Sequence, residues 1–180
     1  MTLGVGGLGA YALTTEPTLR REQLRLRDFI AGLGSAAGLY GIFQVGDRIA
    51  RRIMPAGDRE IAGIYELRSA APRAAIATAL ALAIGPGEEL FWRGLVQRRL
   101  MQRFGRIRGT LIATSIYGGV HLVSENLTLT GAAATAGLFW GAIYAREERM
   151  APLIISHVAW DIWIFLIAPT AKVMPFSRPN

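Results

Sequence analysis

The sequence predicts an all-α fold, a polytopic membrane bundle of five or six transmembrane helices. Three observations lead to this prediction: long apolar runs without charge, arginines concentrated between those runs, and no polar stripe along them. Hydrophobic residues make up 52% of the chain and charged residues only 18%, below the ~25% of an average soluble domain. A soluble helical bundle is the alternative, but its helices would show polar residues repeating about every 3.6 positions.

The apolar runs account for the individual helices in chain order. The first run is short and glycine-rich, lacks the basic residues of a signal peptide, and has the composition of the end of a membrane helix. We expect that the beginning of this helix is missing, through a misassigned start codon or an absent upstream segment. The later runs approach or reach the ~20 residues needed to cross a bilayer, the shorter ones with help from their polar flanks. In order, the runs are Met1–Leu13, Phe29–Gly46, Ala74–Gly87, Thr110–Val123, Gly131–Ala145 and Met150–Ala171.

Small residues indicate where helices approach each other closely. Gly137 and Gly141 lie four positions apart in a run with no polar stripe, and Gly34 and Gly38 repeat this spacing. Small residues at this spacing allow membrane helices to pack with their backbones close together. We therefore expect both pairs at contacts between helices.

The positive charge lies at the ends of the apolar runs. The chain has 20 lysines and arginines against 13 acidic residues, a net charge of +7 that by itself would suggest a nucleic-acid partner. Arginines that flank apolar runs are instead typical of membrane topology, so we expect the lipid bilayer as a partner and no nucleic acid. The chain has no cysteine, which excludes disulfides, thiolate metal ligands and a cysteine nucleophile.

The distribution of arginine leaves the orientation of the first helices open. Ser124–Thr130 has no arginine and is expected outside, which puts Arg98–Arg108 in the cytoplasm. Strict alternation of the helices then puts Arg48–Arg73 outside, against the positive-inside rule. Either Ile49–Pro55 lies along the membrane interface, or one early segment is re-entrant.

Six ionisable side chains lie inside or at the ends of the apolar runs, although a buried charge costs ~2.5–3.5 kcal/mol on insertion scales. Glu89 and Arg93 are four residues apart and share a helix face, so we expect them to form an ion pair. Glu88 points about 100° away from Glu89 and is free to face a cavity. A desolvated carboxylate beside another negative charge is suited to be a general base. Pro86 and Gly87 would loosen the helix at this point and admit water.

Both histidines of the chain also lie in this set. His121 shares a helix face with Tyr117, and His157 shares one with Asp161, because each pair is four residues apart. A carboxylate one turn away can fix the tautomer and orientation of an imidazole. Such a cluster would suit the attack of water on a carbonyl. The candidate catalytic residues are therefore Glu88, Glu89, Arg93, His121, His157 and Asp161.

The spacing of these residues resembles a known family. Three motifs on separate apolar segments, in this order, are similar to those of the CPBP family of CAAX proteases and bacteriocin-processing enzymes, also called Abi. The family includes the Ras-converting CAAX endopeptidase of eukaryotes and the lysostaphin-resistance-protein-A-like proteins. The motifs are Glu88-Glu89-x-x-x-Arg93 within GPGEELFWRGLVQRRL, Tyr117-x-x-x-His121 and His157-x-x-x-Asp161.

The resemblance covers about residues 70–170 and implies a division of the chain. Residues 1–69 would form variable N-terminal membrane helices and an interfacial segment. Residues 70–171 would form the catalytic core, and residues 172–180 a tail.

The resemblance also implies an intramembrane endopeptidase, with a role for each candidate residue. Glu88 and His121 would activate the attacking water. Glu89 and Arg93 would form the supporting ion pair. His157 and Asp161 would stabilise the oxyanion or orient the site.

Two positions depart from the family pattern. Tyr117 stands where phenylalanine is usual, and Asp161 stands where asparagine is common. An ionised aspartate cannot donate a hydrogen bond to an oxyanion. We therefore favour a role in which Asp161 orients His157, over one in which it stays protonated.

The resemblance leaves the cofactor open. Glu88, His121 and His157 would supply a His₂Glu site for one divalent metal such as zinc, with an open position for water. We favour a glutamate-based mechanism with no cofactor, because the sequence has no His-Glu-x-x-His motif.

The implied substrate is a membrane-associated peptide or protein, either with a lipidated CAAX-like sequence or of the bacteriocin type. The bias toward arginine, alanine and glycine is typical of a GC-rich bacterial genome, so we expect an integral protein of a bacterial plasma membrane. Two alternatives are a non-catalytic scaffold or immunity protein of the same family, and a small proton-coupled transporter using Glu88, His121 and Asp161. The sequence shows no internal repeat, which disfavours the transporter.

Overall fold

The computed structural model describes residues 2–54 and 56–170, and every regular element within these residues is helical. This confirms the predicted all-α class. The predicted tail at 172–180 and residue 171 lie outside the described residues. The main helices are α1 (Thr2–Thr15), α2 (Leu26–Ile53), α3 (Gly57–Glu66), α4 (Arg73–Phe104), α5 (Arg106–Val120), α6 (Leu127–Glu147) and α7 (Ala151–Ile167), with 3₁₀ turns at Pro17–Arg21, Leu67–Ser69 and His121–Ser124.

Several helices have the length and composition of membrane spans. Helices α2, α4 and α6 are long and apolar enough to cross a bilayer, and α7 is a shorter apolar helix. Large apolar side chains on these helices are exposed, among them Leu33, Leu82 and Leu138, as expected for surfaces that face lipid. The structure thus supports an integral membrane protein, while the count of five or six crossings stays a prediction.

Contacts at the helix ends show that successive long helices run in alternating directions. At one end, Arg149 in the α6–α7 connection pairs with Asp28 near the start of α2, with Nη2 2.6 Å from Oδ2. At the same end, Arg99 near the end of α4 pairs with a glutamate that follows α1, at 3.1 Å. At the other end, the Glu60 carboxylate of α3 accepts hydrogen bonds from the backbone and the hydroxyl of Thr128 at the start of α6.

The two ends differ in charge. We call residues 16–28, 98–108 and 146–149 the arginine-rich end, and residues 47–73 and 121–130 the opposite end. The arginine-rich end has eleven arginines and five acidic residues, whereas the opposite end has six arginines and five acidic residues. The segment Arg48–Arg73 therefore lies at the opposite end, which has fewer arginines, together with Ser124–Thr130. Residues 49–53 are the last part of α2 and continue that helix. The orientation of the first helices in the membrane stays a prediction.

Glycines on α6 allow this helix to pack closely on two neighbours. A Cβ at Gly137 would lie 2.8 Å from the Tyr117 ring of α5, and a Cβ at Gly141 would lie 3.1 Å from the Gln97 side chain of α4. The predicted role of this glycine pair in helix contacts is confirmed. The arrangement brings α4, α5 and α6 together around the candidate site.

The same prediction for α2 was wrong. A Cβ at Gly34 would meet nothing within 4 Å, and one at Gly38 would meet only the Phe139 ring at 3.9 Å. The close contact of α2 uses Gly32 instead, where a Cβ would lie 2.9 Å from the Pro152 carbonyl of α7. The helix face that meets α7 is set by tertiary packing, which spacing alone does not specify.

Candidate active site

Helix α4 is widened on both sides of the two adjacent glutamates. The stretches 80–84 and 90–97 form π-helical turns, and the five residues between them are α-helical. The Gly85 N–H bonds to the Leu80 carbonyl, and the Arg98 N–H bonds to the Arg93 carbonyl, each five residues back. Such turns occur frequently at functional sites. The predicted loosening near Pro86 therefore takes the form of wider turns in a continuous helix.

Helix α1 crosses α4 immediately before the glutamates. A Cβ on Gly87 would lie 2.7 Å from the Val5 carbonyl, and a Cβ on Gly9 would lie 2.7 Å from the Gly87 Cα. Only glycine allows backbones this close. Helix α1 thus fixes the position of the glutamate pair, a role that the sequence of the N-terminal region does not indicate.

Glu89 is the centre of a buried cluster. Its side chain is 0% exposed, and its Oε1 accepts a hydrogen bond of 2.9 Å from Arg93 Nη1. The same oxygen lies 2.7 Å from Nδ1 of His157. The structure thus shows the predicted ion pair, and adds a direct contact to α7 that the local spacing does not indicate.

The His157 ring is held from several sides. Its plane stacks on Trp140, with centroids 4.0 Å apart and an angle of 22°. The Trp140 indole N–H in turn donates a hydrogen bond of 3.0 Å to Ser156. Asp161 Oδ2 lies 3.6 Å from His157 Nε2, which is longer than a hydrogen bond. The imidazole orientation is therefore set mainly by Glu89 and Trp140, with Asp161 as an electrostatic neighbour.

Glu88 lies in a more open environment than Glu89. It is half-buried, and its Oε2 accepts a hydrogen bond of 2.7 Å from the Tyr117 hydroxyl. The Tyr117 ring is buried and carries the Arg93 guanidinium 4.8 Å above its centroid. The tyrosine that replaces the usual phenylalanine therefore links the two glutamate environments.

His121 lies at the end of α5, next to the same tyrosine. Its Nδ1 is 2.8 Å from the Tyr117 carbonyl, and the two rings meet edge to face at 5.1 Å. A ring nitrogen this close to a carbonyl carries the proton, which leaves Nε2 as the acceptor. No carboxylate among the described residues forms an ion pair with His121 within 4.0 Å. His121 therefore flanks Glu88 across Tyr117.

The metal ligands considered from the sequence do not converge. Within residues 2–54 and 56–170, no group of three or more histidine, aspartate or glutamate side chains is arranged to hold a metal ion. The set Glu88, His121 and His157 does not fit a His₂Glu centre in this arrangement.

Gln97 extends the buried face of α4 beyond the predicted residues. It is 1% exposed, and its side-chain amide donates hydrogen bonds to the Gly141 carbonyl at 2.8 Å and to Thr110 at 3.1 Å. Arg93, one turn earlier, donates to the Gly137 carbonyl at 3.4 Å. The spacing of four residues from Glu89 to Arg93 to Gln97 was the sequence signal for this side chain.

Comparison with known proteins gives one result that bears on this site. The family model described as type II CAAX prenyl endopeptidase Rce1-like matches residues 70–163, just over half of the chain. The matched segment contains all six candidate residues. No curated protein and no solved structure matches the chain significantly.

Proposed function

The chain belongs to the Rce1-like family of type II CAAX prenyl endopeptidases, and on this premise we propose that Glu88 is the general base for hydrolysis of a peptide bond at the membrane. The observation that supports this proposal is that two adjacent carboxylates have different surroundings. Glu89 is fully buried and bonded to Arg93 and His157, whereas Glu88 is half-buried with one hydrogen bond from Tyr117. A carboxylate that water can reach is suited to take a proton from it.

The reaction begins when water adds to the carbonyl carbon of the scissile bond. The Tyr117 hydroxyl occupies Oε2 of Glu88, so Oε1 takes the proton that the water loses. The C–N bond of the tetrahedral intermediate then breaks, and Glu88 returns the proton to the leaving amine. His121 assists through Nε2, because its Nδ1 is engaged by the Tyr117 carbonyl.

The negative charge that develops on the carbonyl oxygen requires a fixed donor. We assign this role to His157, whose Nδ1 is held by Glu89 and whose ring stacks on Trp140. Since Nδ1 donates to Glu89, His157 can donate from Nε2 as an imidazolium, whose positive charge lies beside the carboxylates of Glu89 and Asp161. Asp161, 3.6 Å from that nitrogen, helps to orient the ring rather than binding the oxyanion itself.

The proposed reaction uses no metal cofactor. The support is the chemistry of the donor set, since Glu88, His121 and His157 do not form a three-ligand group. A purified preparation is expected to keep its activity in the presence of a zinc chelator and to contain less than stoichiometric zinc. Stoichiometric zinc together with activity lost to the chelator would contradict this part of the proposal.

The proposed substrate is a membrane-associated peptide. A prenylated C-terminal CAAX-like sequence is the first candidate because of the family, and a bacteriocin-type peptide is the second. We place the protein in a bacterial plasma membrane with its arginine-rich end in the cytoplasm, because that end carries eleven arginines against six at the other.

The decisive experiment compares wild type with Glu88→Gln on prenylated and unprenylated peptides in detergent. The variant is expected to lose at least about 100-fold in kcat and to melt at the same temperature as wild type. Glu125→Gln is the matched control, since Glu125 is an exposed carboxylate at the opposite end. Equal cleavage by wild type and Glu88→Gln would disprove the assignment.

The same preparation distinguishes the alternatives. A scaffold or immunity protein would cleave no peptide, and Glu88→Gln would retain its biological effect. A transporter would move protons across proteoliposomes in a manner that depends on Glu88. Substrate cleavage that is lost only in Glu88→Gln supports the enzyme.

A further inference from the structure

A polar cavity lies at the arginine-rich end, apart from the candidate active site. Its volume is about 180 Å³, and it is lined by Arg98, Met101, Gln102, Arg106, Tyr144 and Glu148. Arg98 is ten residues beyond Glu88 along α4, which corresponds to about 15 Å of helix. None of the six candidate catalytic residues contributes to the lining.

The turn between α4 and α5 builds this cavity. Gly105 has a φ of 80°, a conformation that favours glycine, and it reverses the chain between the two helices. Gly109 lets α5 pack directly on the backbone of α4, where a Cβ would lie 2.6 Å from the Leu100 carbonyl carbon. The two cavity arginines are thereby brought to one opening, and Tyr144 of α6, only 1% exposed, closes its inner side.

The two cavity arginines lie farther from their carboxylate partners than Arg149 does from Asp28. Arg149 at the same end donates two hydrogen bonds to the Asp28 carboxylate, at 2.6 and 3.2 Å. Arg98 lies 3.9 Å from Glu16, and Arg106 lies 3.8 Å from Glu148. Both distances exceed a hydrogen bond. Neither cavity guanidinium thus donates a hydrogen bond to a carboxylate within the described part of the chain.

The lining suits an anion with several acceptor oxygens. Two guanidiniums supply planar pairs of N–H donors, which match phosphate geometry. The Gln102 amide and the Tyr144 hydroxyl add neutral donors. Glu148 is the acidic group of the lining, and its side chain is 61% exposed, so it can turn to solvent. The lining carries a net positive charge with Glu148 ionised.

The position of the cavity identifies the source of the anion. It opens where the apolar helices α4 and α6 end, which is the depth of lipid headgroups. Basic pockets between membrane helices at such ends bind anionic headgroups. We propose that this cavity binds the phosphate of an anionic phospholipid of the leaflet at the arginine-rich end. The proposal is independent of the catalytic assignment.

The test uses native mass spectrometry of purified protein equilibrated with equal amounts of phosphatidylglycerol and phosphatidylcholine. Arg98→Gln/Arg106→Gln is compared with Arg103→Gln/Arg108→Gln, which removes the same charge from exposed positions of the same turn outside the lining. Wild type is expected to retain phosphatidylglycerol preferentially. The cavity variant is expected to lose this preference by at least about tenfold more than the control, since hydrogen bonds to charged groups are lost.

Each other outcome speaks against the proposal. An equal loss in the two double variants would show diffuse surface attraction rather than a site. Competition by inorganic phosphate as effective as that by phosphatidylglycerol would show a free-anion site. A KM increase for peptides in the cavity variant, without change in lipid retention, would show that the cavity takes a substrate carboxylate. Melting temperatures in phosphatidylcholine alone check that both variants are folded.

Discussion

Glu88 and Glu89 are neighbours with the same side chain, yet the fold gives them opposite surroundings. The Glu89 carboxylate is fully buried and shared between Arg93 and His157. The Glu88 carboxylate is half-buried and holds a single hydrogen bond from Tyr117. Two wide turns of α4 flank the pair, and α1 packs on the glycine that precedes it. One residue of difference along the helix thus separates a fully buried carboxylate from the one that we propose to react.

The comparison shows how stability and activity are divided within one helix. Replacing a buried ion pair as a whole changes stability little, but removing one partner leaves an uncompensated charge and is costly. A half-exposed carboxylate can change its protonation at lower cost because solvent or substrate reaches it. Variants on the Glu89 side should therefore change stability, and variants on the Glu88 side should change the reaction rate.

The largest effect is expected for Arg93→Leu, on the buried side. The variant removes the arginine partner of Glu89 and leaves only His157 in contact with it. It should lose about 3–5 kcal/mol in free energy of unfolding, measured by thermal or denaturant unfolding in detergent. The control is Arg99→Leu, whose guanidinium pairs with Glu16 at an exposed position and should lose at most about 1 kcal/mol. Similar losses in the two variants would remove the distinction between a buried and an exposed pair.

An intermediate effect is expected for Tyr117→Phe, which changes the surroundings of Glu88. The ring that packs against Arg93 and Gly137 is kept, and only the hydroxyl that binds Glu88 is removed. The kcat for peptide cleavage should fall about tenfold, while the unfolding free energy changes by about 1 kcal/mol.

Tyr65→Phe is the matched control for this variant. It also removes a tyrosine hydroxyl hydrogen bond, to Thr170 at the opposite end, away from either glutamate. Its kcat should stay that of wild type. If both variants lower kcat to the same degree, Tyr117 has no specific role in positioning Glu88.

The smallest effect is expected for Asp161→Asn. The contact of Asp161 with His157 is 3.6 Å, so no hydrogen bond is lost, and Glu89 and Trp140 continue to hold the ring. The kcat should stay within about threefold of wild type. A loss of about 100-fold in steady-state cleavage would instead show that the negative charge of Asp161 takes part in the reaction.

Local spacing predicted the features that lie within one helix. The Glu89–Arg93 ion pair follows from a separation of four residues, and the structure contains it. The Gly137 and Gly141 spacing predicted a close helix contact, and α6 makes that contact. Long uncharged runs predicted helices, because an apolar segment in a bilayer must satisfy its own backbone hydrogen bonds.

The pairs of side chains that meet between helices could not be predicted in the same way. The hydrogen bond from Tyr117 to Glu88 spans 29 residues, and the contact of Glu89 with His157 spans 68 residues. Such pairs depend on the rotation of each helix about its axis, which several packing contacts decide together. The wrong prediction for Gly34 and Gly38 has the same origin. These glycines have the spacing of a close helix contact, but they lie on a face of α2 that meets no neighbouring backbone.

The wide turns of α4 determine where this helix can change in length. Each turn closes a hydrogen bond over five residues instead of four, so each accommodates one residue more than a regular helix. Deleting a single residue between 80 and 84 would restore a regular helix there. The first part of α4 would keep its rotation relative to the glutamates, whereas a deletion in the regular turn at 85–87 would rotate it by about 100°. A one-residue change in length can thus be absorbed in a wide turn but not in the regular turn that holds the glutamates.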